Sequence, residues 1–223
     1  MKISVQTISS WLVTLLIPLA LLGFAVRILL APWFLQVEYH MPYFPPDEYG
    51  FTTQDRLHWA PYALDYLVND ANISYLGDLK FADGTPLYGE RELSHMHDVK
   101  GVVQGFLRTW YVGLAALILL GAWAWRGDWK QTYLLGLKRG GWLMVGLVVA
   151  FGLFAATSFW DFFSWFHSLF FSGNSWLFLY SDTLIRLFPL QFWQDVFTWA
   201  GAIVTIGGLA LALGLKPKPN EGS

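Results

Sequence analysis

ELSHMHDVKGVVQGFLRTWYVGLAALILLGAWAW, running from Glu92 to Trp125, is the stretch whose reading decides the fold. Its second part, Phe106–Trp125, is apolar with Arg108 as its one charge. That matches the roughly 20 residues a helix needs to cross a bilayer. Its first part, Glu92–Lys100, is a polar island holding His95, His97 and Asp98. Ionisable groups beside membrane depth are expensive to keep there, so they mark function by default.

Three further windows have the same character: about Trp11–Leu35, Gly141–Trp160 and Phe192–Leu215. The whole chain of 223 residues is 55% hydrophobic and only 13% charged. A soluble domain is nearer a quarter charged. The reading is therefore an all-α membrane protein with four transmembrane helices, forming one integral membrane domain over residues 1–223. Trp11–Leu35 is read as a retained helix. Its basic start is weak (Lys2), no small-x-small cleavage site precedes Pro32, and it is longer than a signal core. Pro18 within it is tolerated in a membrane helix. The net charge of −2 gives no reason to expect nucleic acid. The absence of cysteine excludes disulfides, thiolate metal sites and thiol nucleophiles.

Charge sets the expected orientation. With the N-terminus inside, the inner segments carry Lys2, Arg126, Lys130, Lys138, Arg139, Lys216 and Lys218 against Asp128 and Glu221. The outer segments, about 36–105 and 161–191, hold most of the acids, Asp161 and Asp182 among them. Basic residues favour the cytoplasmic side, so both termini are expected inside. All five histidines then fall outside. Arg27 and Arg108 are read as snorkelling to the interface. Trp33, Trp110, Trp123, Trp160 and Trp193 sit at window ends, where an aromatic belt belongs.

The long first outer loop, 36–105, is expected to have structure of its own. Thr53–Asn69 reads as a helix broken or restarted at Pro61. Leu79–Tyr88 reads as a small hairpin turning at Asp83-Gly84. Glu90 and Glu92 suit the N-terminal end of a helix, whose seam is Leu93, Met96, Val99, Val103 and Phe106. That helix is expected to lie in the interface ahead of the second span. Small residues four apart, at Gly105, Thr109 and Gly113, at Gly201–Thr205 and at Gly208–Ala212, predict close helix packing.

On a helix, His95 and His97 point about 200° apart, so both cannot serve one site. His95 shares a face with Glu92 and Asp98, whereas His97 sides with Ser94 and Lys100. A strand would instead align the two histidines as a His-x-His metal site. The helix is preferred, which favours His95. The second outer loop contains another island, Phe166-His167-Ser-Leu-Phe-Phe-Ser-Gly-Asn174-Ser-Trp176, running on to Asp182-Thr-Leu-Ile-Arg186-Leu-Phe-Pro189. Trp160, Ser164 and His167 fall on one helical face, making Ser164 a candidate orienter of His167. Asp182 fits an N-cap, with Arg186 four residues on as a local pair. Set against these functional readings, a lone interfacial histidine is commonly structural, and an aromatic run commonly packs.

The motifs Glu92-x-x-His95-Met-x-Asp98-Val-Lys100, Phe166-His167-x-x-Phe-Phe-x-Gly-x-Ser-Trp176-x-Phe and Asp182-Thr-Leu-Ile-Arg186-Leu-Phe-Pro189-x-x-Phe-Trp193 together resemble the bacterial lipoprotein intramolecular transacylase family, Lit. The similarity extends to the four-helix layout and the long first outer loop. It implies an acyltransferase of the bacterial plasma membrane acting at the outer leaflet without a cofactor. Such enzymes move the sn-2 acyl chain of a diacylglyceryl lipoprotein to the α-amino group of its N-terminal cysteine, giving the lyso form. Partners would be such lipoproteins and membrane lipid. The resemblance makes His95 and His167 the key histidines.

Aminolysis of an ester needs a neutral amine, a stabilised oxyanion and a proton for the departing oxygen. An α-amino group has a pKa near 7.7–8.0, so histidine suits the work as base and then acid. Glu92, Asp98, Ser164, Asp182 and Arg186 are expected to support or orient, and Trp176 and Arg186 to touch substrate. Arg186 or backbone N–H groups would face the oxyanion. One rival is a zinc-dependent membrane lipid hydrolase, with His95 or His97, His167, and Asp98 or Asp161 as ligands. The other is a lipid-binding protein whose histidines only hydrogen-bond.

Overall fold

The computed structural model describes residues 4–217; Lys2, Lys218 and Glu221 of the charge count lie outside the described residues. In chain order the helices are α1 (Val5–Leu29), α2 (Pro32–Glu38), α3 (Thr53–Val68), α4 (Ser74–Gly77), α5 (Glu90–Arg126), α6 (Lys130–Thr157), α7 (Phe159–Ser168), α8 (Thr183–Leu187) and α9 (Leu190–Gly214). Four of them, α1, α5, α6 and α9, are long and apolar enough to cross a membrane. No strand occurs among the described residues.

The chain forms two compact units. Among the described residues the first comprises 4–27, 107–157 and 199–217. Glycine lets its backbones approach closely. A Cβ on Gly136 would lie 2.6 Å from the Ser10 carbonyl oxygen, and one on Gly140 2.5 Å from Ile17 Cβ. A Cβ on Gly141 would lie 2.5 Å from the Gly208 carbonyl oxygen. Of the small-residue positions singled out in sequence, Gly208 takes part in such an approach, but Gly201 has only Val148 at 3.9 Å. The closest approaches to backbone therefore fall on α6 glycines, whose own four-residue pair, Gly136 and Gly140, the sequence reading did not single out. Two buried side chains of this unit close on backbone oxygens: Thr14 Oγ1 donates to the Ser10 and Gly136 carbonyls, and Trp110 Nε1 to the Ala20 carbonyl. α6 begins at Lys130 rather than Gly141, so Lys138 and Arg139 are helical. Arg139 donates to Ser10 Oγ at 2.7 Å and lies over the Trp11 ring, which absorbs its charge without breaking the helix.

The second unit comprises 28–106 and 158–198. α1 stops at Leu29 instead of running to Leu35, and α2 restarts at Pro32. The residue before a proline avoids helical geometry, and Ala31 is extended at φ −137°, ψ 144°. α3 opens with a capping box between Thr52 and Asp55. Pro61 does not break it. The buried face of Ala60, Ala63, Leu64, Tyr66 and Leu67 outweighs the hydrogen bond that proline removes, a loss of roughly 3 kcal/mol. The segment expected as a hairpin makes a turn with one bridge, Lys80 to Pro86, and Gly84 takes φ +87°. Pro86 has no N–H to extend the ladder. The helix from Glu90 does not stop at an interface but continues to Arg126 as α5.

Lys100 ties this unit together. Its ammonium donates to Asn69 Oδ1 at 3.1 Å and to the Ala71 carbonyl, and sits 4.0 Å from the Tyr66 ring centre. Arg56 bridges the Pro45 and Arg186 carbonyls at 2.7 and 2.9 Å. Tyr39 donates to the Leu187 carbonyl at 2.9 Å.

Candidate active site

His95 lies in the second turn of α5 and His167 near the end of α7. Their rings are nearly parallel, with centroids 6.4 Å apart and an interplanar angle of 22°. Aromatic rings enclose the pair. His95 has Phe171 at 4.9 Å and Phe178 at 5.4 Å. His167 stacks on Trp176 at 4.5 Å and meets Phe163 at 4.1 Å. The histidines thus converge from segments more than seventy positions apart in sequence, 95 and 167.

His167 is held in one tautomer. Its Nδ1–H donates to the Phe163 carbonyl, four residues back, at 2.8 Å. A carbonyl can only accept, so Nε2 keeps the lone pair. Burial pushes the His167 pKa below its ordinary value, opposed by the Phe163 hydrogen bond, so the ring is neutral at neutral pH. That is the protonation state of a base. The orienting group is the Phe163 carbonyl; no hydrogen bond joins Ser164 to His167. Nδ1 of His95 is buried without a hydrogen-bond partner, so neither Glu92 nor Asp98 orients it there.

Glu92 has a different task. Its Oε2 accepts from Gly89 N–H at 2.7 Å and its Oε1 from Leu184 N–H at 2.7 Å. One carboxylate, 5% exposed, therefore caps α5 and, across 92 positions, the first turn of α8. Thr183 Oγ1 adds a hydrogen bond to the Leu87 carbonyl. Asp182 occupies the N-cap position of α8 but does not cap it; its carboxylate accepts from Leu179 N–H at 2.8 Å. Nor does Asp182 pair with Arg186. That guanidinium meets Asp47 at 3.0 Å, donates to the Tyr49 carbonyl at 3.0 Å and lies over the Phe51 ring. These contacts give Arg186 the task of pinning residues 47–51 to α8.

Trp176 lies against the His167 ring, with centroids 4.5 Å apart. Asp98 and His97 are exposed on α5 and line a groove of about 570 Å³ beside Phe171. Among the described residues no three His, Cys, Asp or Glu side chains gather as a metal would need. Phe171 and Phe178 belong to the motif quoted from the sequence but had no role assigned there; sequence reasoning missed Arg91, whose guanidinium donates to the Leu177 carbonyl at 2.7 Å and lies over Phe178. No local spacing signals the Arg91 contact, which crosses 86 positions.

The sequence profile described as lipoprotein intramolecular transacylase Lit matches residues 11–193. A protein of Aquifex aeolicus described only as uncharacterized is 30% identical over 193 residues, covering 83% of each chain. The solved structure of the membrane integral lipoprotein intramolecular transacylase Lit from Bacillus cereus superposes with a TM-score of 0.72 at 18% identity, over 92% of each chain. A variant of that enzyme with a histidine replaced by arginine gives the same TM-score and identity, covering 92% of this chain and 88% of its own. At that identity the likeness speaks for the fold, while the profile covers most of the sequence: the chain belongs to the lipoprotein intramolecular transacylase Lit family.

Proposed function

We propose that this protein is an intramolecular acyltransferase. It moves the sn-2 acyl chain of a diacylglyceryl lipoprotein to the α-amino group of the same N-terminal cysteine, at the outer leaflet of the plasma membrane. The observation that carries the reading is the facing pair of His95 and His167 within an aromatic enclosure, inside a chain of this family.

The amine nitrogen attacks the ester carbonyl, and a proton passes from nitrogen to an imidazole. The tetrahedral intermediate then collapses. The bond from the acyl carbon to the glycerol oxygen breaks, an amide remains, and the imidazole returns its proton to that oxygen. Amine and ester belong to one molecule, so orientation alone supplies roughly 7–11 kcal/mol of the barrier reduction, and no covalent enzyme intermediate is required. His167, neutral and with Nε2 free, has the character of the base. Trp176, Phe163, Phe171 and Phe178 exclude water, which suppresses hydrolysis of the ester.

The outward placement rests on the basic excess of the segments around 126–140 and 216–218. Single cysteines introduced near Asp83 and Gly173 are expected to label from outside intact cells.

The test of the function is expression in a host lacking the activity, followed by mass spectrometry of one lipoprotein's N-terminus. The wild type is expected to give the N-acyl, S-monoacylglyceryl form. His95→Ala and His167→Ala each lose about 10²–10⁴-fold, the double variant is little worse than either, and His97→Ala keeps most of the activity. A dead His97→Ala beside an active His95→Ala would overturn the site.

A further inference from the structure

The groove beside the dyad is bounded on α5 by His97, Asp98 and Gly101, and on the facing loop by Phe171, Ser172 and Ser175. Phe171 joins it to the chemistry, because that ring also stands 4.9 Å from His95 and 5.8 Å from His167. At about 570 Å³ it has the size of a ligand site. Its lining contains a carboxylate, an imidazole and two hydroxyls, and no lysine or arginine.

Gly101 lines that space without filling it. Glycine weakens a helix interior relative to alanine. At Gly136, Gly140 and Gly141 a close backbone explains it, but a Cβ on Gly101 would meet nothing within 4 Å. No packing within the protein asks for glycine there. A side chain at 101 would enter the groove.

We propose that this groove seats the amino-terminal end of the lipoprotein polypeptide, with the Asp98 carboxylate holding the α-ammonium of the lipid-bearing cysteine. The proposal rests on the transacylase reading and names the residue that receives the nucleophile. Asp98 follows His95 by three residues and so shares its face of the helix. It is exposed, and His95 Nδ1 does not engage it. A cation fits this carboxylate, whereas an acyl chain lying here would bury it unpaired. The ammonium docked on Asp98 gives one proton to His95; the neutral amine then attacks, and its second proton passes through His167 to the departing glycerol oxygen. Beyond His97 a second hollow of about 300 Å³ reaches Ser94 and Glu90. The α5 residues from Gly101 back to Glu90 span about 16 Å, room for roughly five extended residues of peptide.

The test uses the full-length protein carrying His167→Ala, so that substrate persists, in lipid nanodiscs. The probes are a synthetic dipalmitoylglyceryl-cysteine pentapeptide and its N-acetylated form. The free amine is expected to bind about ten- to a hundredfold tighter, and Asp98→Asn is expected to erase that preference. Gly101→Phe is expected to weaken both probes by at least about tenfold while remaining folded, because Gly101 lines the groove and a Cβ there meets nothing within 4 Å. Equal binding of the two probes, or a preference that survives Asp98→Asn, overturns the proposal. So does a Gly101→Phe protein that binds normally, or one in which only the preferred acyl length changes, since the groove would then hold a chain. Conversion by the protein with His167 intact is scored in parallel. No N-acylated product counts against the transacylase reading itself; normal product with indifferent binding counts against Asp98 alone.

Discussion

The two compact units of this chain are built on opposite principles. In the first, helices α1, α6 and α9 meet through glycine, and the side chains that count are the absent ones at Gly136, Gly140 and Gly141. In the second, short helices are joined by polar side chains reaching backbone atoms far away in sequence: Glu92 to Leu184, Arg56 to Arg186, Lys100 to Ala71, Tyr39 to Leu187. A membrane-crossing bundle satisfies its backbone inside each helix and needs only close contact. A lattice of turns and short helices leaves many backbone groups open, and side chains must close them. The first unit should therefore be intolerant of volume and the second of lost hydrogen bonds.

The largest expected stability effect breaks the first rule. Gly140→Leu drives a side chain into Ile17 and toward the Thr14 carbonyl, 2.9 Å from where Cβ would stand. A loss of about 3 kcal/mol or more is expected, read as failure to purify as a monodisperse species. Near-normal thermal stability would mean that the helices have freedom the contacts deny. Next comes Glu92→Ala. It leaves the Gly89 and Leu184 N–H groups without their acceptor, at about 2–3 kcal/mol in all. Glu92→Gln, keeping one acceptor, should be milder. Faster amide exchange confined to residues 183–187 is the signature to look for, and unchanged exchange there would remove Glu92 from the account.

A pH-dependent effect concerns Glu38, fully buried on α2. Burial, reinforced by the nearby Asp195 carboxyl, pushes its pKa up from 4.5 to about 8. The folded protein thus holds a proton that the unfolded chain releases above 4.5. Stability from this group is complete below pH 4.5 and is lost as pH rises through about 8. Glu38→Gln mimics the protonated acid, so its melting temperature should gain on the wild type between pH 5 and pH 8. A constant difference across that range would deny the buried acid. Smallest is a displacement of the pH–rate profile. Because burial lowers the His167 pKa, the acid limb of kcat/KM should fall below the ordinary 6.5. A limb at or above 6.5 would assign the base elsewhere.

The contrast also explains what the sequence made legible. The four long helices follow from apolar length alone, and the preference for His95 over His97 follows from the 100° step of a helix. Boundaries failed where polarity and structure part company. Lys138 and Arg139 are polar yet helical, because Ser10 and Trp11 receive Arg139. Pro61 is a breaker by type yet sits within α3, because the face it belongs to is buried. Arg186 and Asp182 looked like a local pair at four residues, but Asp47, 139 positions away, has the guanidinium. Glu92 looked like a partner for His95 and caps α8 instead. Long-range partners of this kind leave no periodicity to read.

The central claim, transfer within one substrate molecule at the His95–His167 pair, is tested most directly by a crossover experiment. Two lipopeptides are mixed with purified protein, one carrying deuterated acyl chains on an unlabelled peptide, the other unlabelled chains on a ¹⁵N-labelled peptide. The account predicts that every N-acylated product keeps acyl chain and peptide from the same parent, and that product vanishes with His95→Ala or His167→Ala. Products combining a deuterated chain with a ¹⁵N peptide, or free fatty acid in place of amide, would contradict it.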